Sequence, residues 1–291
     1  MSKSIVKKTF RALNSFEPTR EYLMVPLIFI RDKLRDLRSY SVIKDGRRDI
    51  SDFKGIYEGQ RCFVIGNGPS LTPEDLNLLK NEICFGSNRI YDIYDYTDWG
   101  PTYYAIQDFY VLQEISKEVE ERETRSKHRF IAGNRKNYIC KEMLEDPKNS
   151  FFYLGSCLSE RRKIRFADDM QKTVASGRTV TYMMIQMAYY MGFKEIYLLG
   201  VDHSYGQYLD KEGNLDTEAH AQSHFKGARA YKHLNGYNYT AKSPLNASTR
   251  AYQEAEDYSR IRGFRIYNCT RGGKLEVFER KALEDVLAEE K

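Results

Sequence analysis

No Cys-X-X-Cys pair occurs among the five cysteines, Cys62, Cys84, Cys140, Cys157 and Cys269. That excludes a zinc ribbon or a thioredoxin-like redox motif, and the scatter is unlike the disulfide framework of a small secreted domain. Cys62 and Cys84 sit in strand-like runs and Cys269 directly follows one; these three read as small core residues, as expected in a reducing cytoplasm. Long apolar runs are missing as well. Residues 22–30, YLMVPLIFI, fall far short of the roughly 20 residues that cross a bilayer. The N-terminus lacks the apolar stretch and small-residue cleavage site of a secretory leader, so the expected location is the cytoplasm, possible membrane contact being at its inner face. There is no internal repeat and no low-complexity tract. Charge of one sign is scarce, too: 46 Lys and Arg stand against 41 Asp and Glu, a net +5. With no concentrated basic recognition helix, nucleic acid is not expected as a partner, and the balance suits an anionic small molecule or a membrane surface. The remainder is globular in composition, 41% hydrophobic and 30% charged over 291 residues, enough to bury a substantial core.

Residues 1–58 form an expected N-terminal extension and 59–291 an α/β domain. Within 1–50, Lys7, Lys8, Arg11, Arg20, Arg31, Lys33, Arg35 and Arg38 flank the short apolar patch. The pattern suits an in-plane amphipathic contact with a membrane, or a helical arm packed on the main domain or on a second copy in a homo-oligomer. From residue 60, strand-like runs at 61–66, 82–87, 102–107, 129–132, 151–154, 195–200 and 264–268 alternate with helical patterns. These helices are expected at 73–80, 109–123, 136–145, 177–191, 248–262 and 279–289. Such alternation implies a Rossmann-like, doubly wound, mostly parallel sheet with helices on both faces. Residues 203–247 break the rhythm: they are rich in Gly, Asn, Tyr, His and Lys and follow the most apolar strand. A long irregular insertion there is expected to be a lid.

The run Arg61-Cys-Phe-Val-Ile leads directly into Gly66-Asn67-Gly68-Pro69-Ser70 and then a helix opened by Thr72-Pro73-Glu74. It lacks the third glycine of a dinucleotide fingerprint and the Gly-Lys-Ser/Thr of a P-loop. It reads either as a turn that brings backbone N–H groups and a helix N-terminus to a phosphate, or as a plain tight strand-to-helix turn. In an open parallel sheet, ligands lie beyond the carboxyl ends of the strands. The polar residues expected there are Asn67, Ser70, Asn88, Gln107, Asp108, Ser176, Gly177 and Asp202. Each has a plainer reading, Asn88 as a turn residue and Ser176 as a helix N-cap among them. Together they make a pocket of amides and hydroxyls suited to a base, ribose and phosphate.

Four of the five histidines, His203, His220, His224 and His233, fall in the lid region, where one is placed to move a proton; His128 begins a strand and is expected to face outward. His220 and His224 have metal-ligand spacing but no glutamate between them and no third ligand, so no metal is expected. Lid tyrosines, Tyr205 among them, are candidates to donate to a leaving phosphate or stack on a sugar.

Ile65-Gly-Asn-Gly-Pro-Ser-Leu71, Ser87-Asn88-Arg89, Ser176-Gly177 before a helix, Gly-Phe-Lys-Glu-Ile-Tyr-Leu-Leu-Gly-Val-Asp202 and Ser223-His224-Phe225 occur in that order. The arrangement resembles bacterial lipooligosaccharide sialyltransferases over roughly residues 60–270. It also resembles motility accessory factors and the related 6-hydroxymethylpterin diphosphokinase MptE-like proteins. The resemblance implies a single nucleotide-binding α/β domain with a lid, and metal-independent transfer of a sialic acid or other nonulosonate. The donor would be CMP-linked and the acceptor a glycan or glycolipid of cell-surface polysaccharide assembly. By motif it implies that Gly66, Asn67, Gly68 and Ser70 hold the donor nucleotide and phosphate, with a further contact from Asn88. Ser176 and Gly177 would bind the sugar carboxylate or phosphate, and His224 would be the general base. Two positions depart: the family tyrosine after the strand-end aspartate is matched by Tyr205 only after a register shift, and an arginine before the Ser-Gly pair is Thr173 here. Alternatives are an ATP-dependent diphosphokinase acting on a pterin-like alcohol, with Asp108 and Asp202 as magnesium ligands, and a non-catalytic nucleotide-binding protein.

Overall fold

A computed structural model describes residues 30, 34, 50–155, 165–203, 207–209, 215–217, 224–229 and 244–289. Strands β1 (Arg61–Ile65), β2 (Cys84–Ser87), β3 (Tyr103–Ile106), β4 (His128–Ala132) and β5 (Asn149–Phe152) run in sequence order across one half of a sheet. After the short pair β6 (Leu154–Gly155) and β7 (Val174–Ala175), the chain crosses back to the other side of β1. There it adds β8 (Glu195–Leu199) and later β11 (Arg265–Asn268) and β12 (Glu279–Arg280). The order is β12-β11-β8-β1-β2-β3-β4-β5, every pairing parallel. Strands β9 (Gln207–Leu209) and β10 (Leu215–Thr217) form a separate antiparallel pair within the expected lid.

Helices cover both faces, so both faces of each central strand are apolar. Alternate residues of β1 and β8 go to opposite layers: Cys62, Val64, Ile196 and Leu198 to one, Phe63, Ile65, Tyr197 and Leu199 to the other. The second layer includes apolar residues of α1 (Pro73–Leu78), α2 (Phe109–Arg122), α3 (Lys141–Glu145) and α6 (Leu283–Ala288). The first is built from α4 (Val180–Tyr190) and α5 (Pro244–Arg262), with Ile50 and Phe53 of a 3-10 turn, Ile50–Phe53. This is the doubly wound α/β architecture expected from the alternation.

Four local expectations change. The helix expected at 136–145 is a 3-10 turn, Lys136–Tyr138, and a separate α3, because Ile139 and Cys140 are extended (ψ 128° and 161°); Ile139 and Met143 then both reach the core. The helix expected from 279 begins at Leu283, since Glu279 and Arg280 add a strand beside Tyr267 and Asn268. The helix expected from 177 begins at Val180, after an extended Thr179. His128 is buried rather than outward: its Nε2 lies 2.8 Å from Ser150 Oγ and its ring packs 4.7 Å from that of Phe53.

Helix α4 is buried almost all round, and its one fully buried amide, Gln186, is satisfied at both ends. Its Oε1 accepts from the N–H groups of Ala167 and Ala175 (both 3.0 Å), and its Nε2 donates to the carbonyls of Ala175 (2.9 Å) and Tyr182 (3.1 Å). Gln186 thereby ties β7 and the segment before it to the helix that enters the site. Gln186→Leu leaves those backbone groups unpaired and is expected to cost about 2 kcal/mol, read as a lower urea midpoint with unchanged m-value.

Candidate functional site

The strand order reverses between β1 and β8, and the turns that follow these two strands meet there. Gly66 N–H donates to Leu199 O and Gly68 N–H to Gly200 O, both 2.8 Å. A Cβ on Gly68 would stand 2.6 Å from Gly200 O and would also collide with the Asp202 carboxylate, so the glycines are required by the mutual approach of the two turns. Ser70 completes the join, donating Oγ–H (2.8 Å) and N–H (3.3 Å) to Asp202 Oδ2. Helix α1 is short and capped by Thr72, whose Oγ1 accepts from Asp75 N–H at 3.2 Å.

Beyond this join lies a half-open cleft of about 120 Å³, lined by Gly66, Asn67, Gly68, Ser87, Asn88, the Thr179–Thr181 turn, Gly200–His203, His224 and Tyr252. Asn67 donates its Nδ2 to Ser87 O at 3.0 Å, which leaves its Oδ1 buried without a protein partner. Ser87 Oγ and Asn88 Oδ1 are buried and unpartnered too. Asn88 is held with φ 53°, in the left-handed region that asparagine tolerates, while its carbonyl accepts from Tyr104 Oη at 2.8 Å. Buried polar atoms are seldom left without partners. Three such atoms belong to residues that line this one cleft.

The opposite wall is the N-terminus of α4. Thr179 caps it, its Oγ1 accepting from Thr181 N–H (3.3 Å) and lying 3.3 Å from Tyr252 Oη. Val180 and Thr181 thus present the positive end of an 11-residue helix to the cleft. Among the described residues, no lysine or arginine lines it. Two histidines do. His203, at φ 55°, has Nε2 2.7 Å from Thr249 Oγ1, and burial pulls its pKa down to about 4. Burial lowers the pKa of His224 as well. Burial thus favours the neutral form of both imidazoles.

Of the residues singled out in the sequence, Gly66, Asn67, Gly68, Asn88, Asp202 and His224 come together at the cleft. Ser70 does not line it; its hydroxyl holds Asp202. Asp108 caps α2, accepting from the N–H groups of Tyr110 (2.8 Å) and Val111 (3.1 Å). Gln107 is buried with Oε1 unpartnered, outside the lining set. Ser176 and Gly177 also lie outside it; a Cβ on Gly177 would press on Tyr182 (2.5 Å) and Ala251 (2.6 Å), so this glycine serves the packing of α4 on α5. Tyr205 and His220 are outside the described residues. Sequence reasoning missed Thr179, Thr181 and Tyr252. A threonine directly before the apolar run of α4 was a legible N-cap signal, whereas Tyr252 sits in the middle of a helix with nothing local to mark it.

Residues 37–208, more than half of the chain, match the family model described as 6-hydroxymethylpterin diphosphokinase MptE-like. No curated protein matches the sequence. Among solved structures, the MAf glycosyltransferase from Magnetospirillum magneticum AMB-1 is similar in fold, with TM-score 0.54 and 15% identity over 87% of this chain; the match spans 38% of that protein's length. The sialyltransferase CstII from Campylobacter jejuni, solved with cytidine-5'-monophosphate, aligns with TM-score 0.43 and 15% identity over 77% of this chain and 86% of that one. The monofunctional alpha-2,3-sialyltransferase Cst-I from the same organism gives TM-score 0.42 and 15% identity over 72% and 75%.

His203 has a folded-state pKa below its unfolded value of about 6.5. Its contribution to stability is complete above pH 6.5 and is lost as pH falls toward 4, where the unfolded chain binds the proton and the folded one does not. His203→Gln is expected to lose less stability than wild type between pH 7 and pH 4.5, measured as urea midpoints at the two pH values.

Proposed function

The chain belongs to the 6-hydroxymethylpterin diphosphokinase MptE-like family, and we propose that it is a metal-independent glycosyltransferase that moves a sialic acid or other nonulosonate from a CMP-activated donor to a glycan or glycolipid. One observation carries this reading: Asn67, Ser87 and Asn88, whose Oδ1, Oγ and Oδ1 atoms are buried and unpartnered, line one cleft together with the N-terminus of α4 and two histidines that burial holds toward the neutral form. The two amide oxygens accept hydrogen bonds, which suits sugar hydroxyls and the exocyclic amine of a base. The α4 N-terminus receives a phosphate without a cation. The cleft is smaller than the roughly 300 Å³ of a typical small-ligand site, so a CMP-linked donor would extend beyond it.

In this reaction the acceptor oxygen forms a bond to the anomeric carbon as the bond from that carbon to the phosphate oxygen breaks. His224 takes the acceptor's proton, and CMP leaves with its phosphate on the first turn of α4 beside Thr179 and Thr181. A nucleoside monophosphate is already a good leaving group, so positioning, hydrogen bonds to the departing phosphate and one base suffice. Assembly of a surface polysaccharide, with residues 1–50 touching the inner face of the membrane, is the setting we propose for it.

A second reading follows from the family's description: transfer of pyrophosphate from ATP to a pterin-like alcohol. Such chemistry uses magnesium held by carboxylates. Among the described residues Asp202 is the one carboxylate on the cleft wall, and its Oδ2 already accepts twice from Ser70. Among the described residues no group of three or more His, Cys, Asp or Glu is placed to hold a metal ion. The transferase reading needs no such group.

CMP is expected to raise the melting temperature with EDTA present, and His224→Ala to keep that shift while slowing CMP release from CMP-N-acetylneuraminate by about 100-fold or more. Stabilisation by ATP with magnesium and not by CMP would overturn the transferase reading in favour of the second. Asn88→Ala is expected to weaken CMP or donor binding by about tenfold, read from the same thermal-shift titration.

A further inference from the structure

Residues 224–229 lie in the irregular stretch that follows β8, yet they are fixed to the sheet at both ends. At one end Phe225 donates its N–H to Asn67 O (2.9 Å), and its side chain is buried among the residues of the second core layer. At the other, Arg229 grips two acids. Its backbone N–H reaches Asp92 Oδ2 (3.1 Å); its Nε lies 3.0 and 3.2 Å from the two Asp92 oxygens, and its Nη2 2.7 Å from Oδ1. Nη1 and Nη2 also reach the two oxygens of Glu118 at 2.9 and 3.1 Å. Asp92 is only 3% exposed and receives a further bond from Arg122 (3.2 Å).

The partners of Arg229 are connected to the wall of the cleft that carries Asn88. Asp92 stands four residues after Asn88, on a 3-10 segment, Ile90–Asp95. Arg89, the neighbour of Asn88, pairs with Glu114 (3.1 Å) and Glu118 (3.5 Å), and its Nη1 donates to the backbone carbonyl of Arg229 (3.4 Å). Tyr91 Oη closes on Glu118 Oε2 at 2.9 Å. One network of fork-shaped, charge-assisted hydrogen bonds therefore holds both the backbone that carries Asn88 and the segment that carries His224.

We propose that Arg229 is a positioning residue for His224, setting the distance between the imidazole and the Asn88 wall. This rests on the reading of His224 as the base. Arg229 lies outside the cleft lining and touches no ligand there; it acts through the five-residue turn that Phe225 and Asp92 anchor. The rigid guanidinium fork is what the geometry uses, so lysine replaces its charge without its two-acid grip.

The test is a double-mutant cycle read as CMP release from CMP-N-acetylneuraminate, with water as acceptor, beside the exchange rate of the Phe225 amide. Arg229→Ala is expected to lower kcat by at least about tenfold while donor KM changes by less than about threefold. In a His224→Ala background the same substitution is expected to cost nothing further, because the two residues act as one unit. Arg229→Lys, the milder variant, is expected to fall between wild type and Arg229→Ala. Equal losses in both backgrounds, or a loss confined to KM, would overturn the proposal. If His224→Ala leaves turnover intact, the reading of His224 as base fails. The anchoring of the segment is then judged by the amide alone: faster exchange in Arg229→Ala supports it, unchanged exchange overturns it.

Discussion

The site depends on how closely the turns after β1 and β8 approach one another. Gly68 hydrogen-bonds to Gly200, and Ser70 holds Asp202 through two bonds to one carboxylate oxygen. Neither turn tolerates a side chain at the contact, because Gly66 and Gly68 leave no room for a Cβ against Gly200. Two parallel strands entering the sheet from opposite halves of the chain must place their following loops side by side, and the crevice that opens beyond them is where an open α/β sheet binds its ligand. The glycines let these loops interlock, so at the junction the crevice is walled largely by backbone and short side chains, while His203, His224 and Tyr252 complete the lining.

That construction sets the electrostatics of the cleft. Among the described residues, amides, hydroxyls, two imidazoles and the N-terminus of α4 line it, with one carboxylate and no lysine or arginine. Such a lining discriminates by hydrogen-bond geometry more than by charge, and the burial that shapes it also favours the neutral form of His203 and His224. Asp202 is better understood as a strut than as a ligand group. Its carboxylate takes both Ser70 donors, and its carbonyl accepts from Lys274 N–H at 2.7 Å, which fastens the stretch after β11 to the same junction.

Ionic interactions do their structural work around the cleft rather than in it. Arg89, Asp92, Glu114, Glu118 and Arg229 join the segment after β2, helix α2 and residues 224–229. At the opposite end of α2, Arg129 binds Glu123, Glu120 and Asp146, with Glu123 fully buried and its second oxygen pairing also with Ser126 Oγ. Charges buried in this way are stable only when every partner is present, so both clusters constrain where α2 can sit on β3 and β4.

The seven strands expected from apolar runs are all present within two residues of their expected ends, because strands buried on both faces must be nearly continuous in apolar character. Chemistry carried by consecutive residues was legible in the same way: Gly66-Asn67-Gly68, Asn88 and Asp202 were marked by turn glycines and by polar residues at strand ends, whereas His224 was one of four histidines in the irregular insertion and only the family resemblance singled it out. Ser70, Asp108 and Gly177 look the same in one dimension as the residues that line the cleft, and only the fold turns them to Asp202, to the first turn of α2 and to Ala251. Tyr252, Thr179 and the grip of Arg229 on Asp92 join positions tens to more than a hundred residues apart. Periodicity and motif spacing report on neighbours along the chain, and so the sequence by itself determined the layers and the strand ends. Which polar atoms remain unpartnered at those ends was decided by tertiary packing, since a hydrogen bond is satisfied in space and not along the chain.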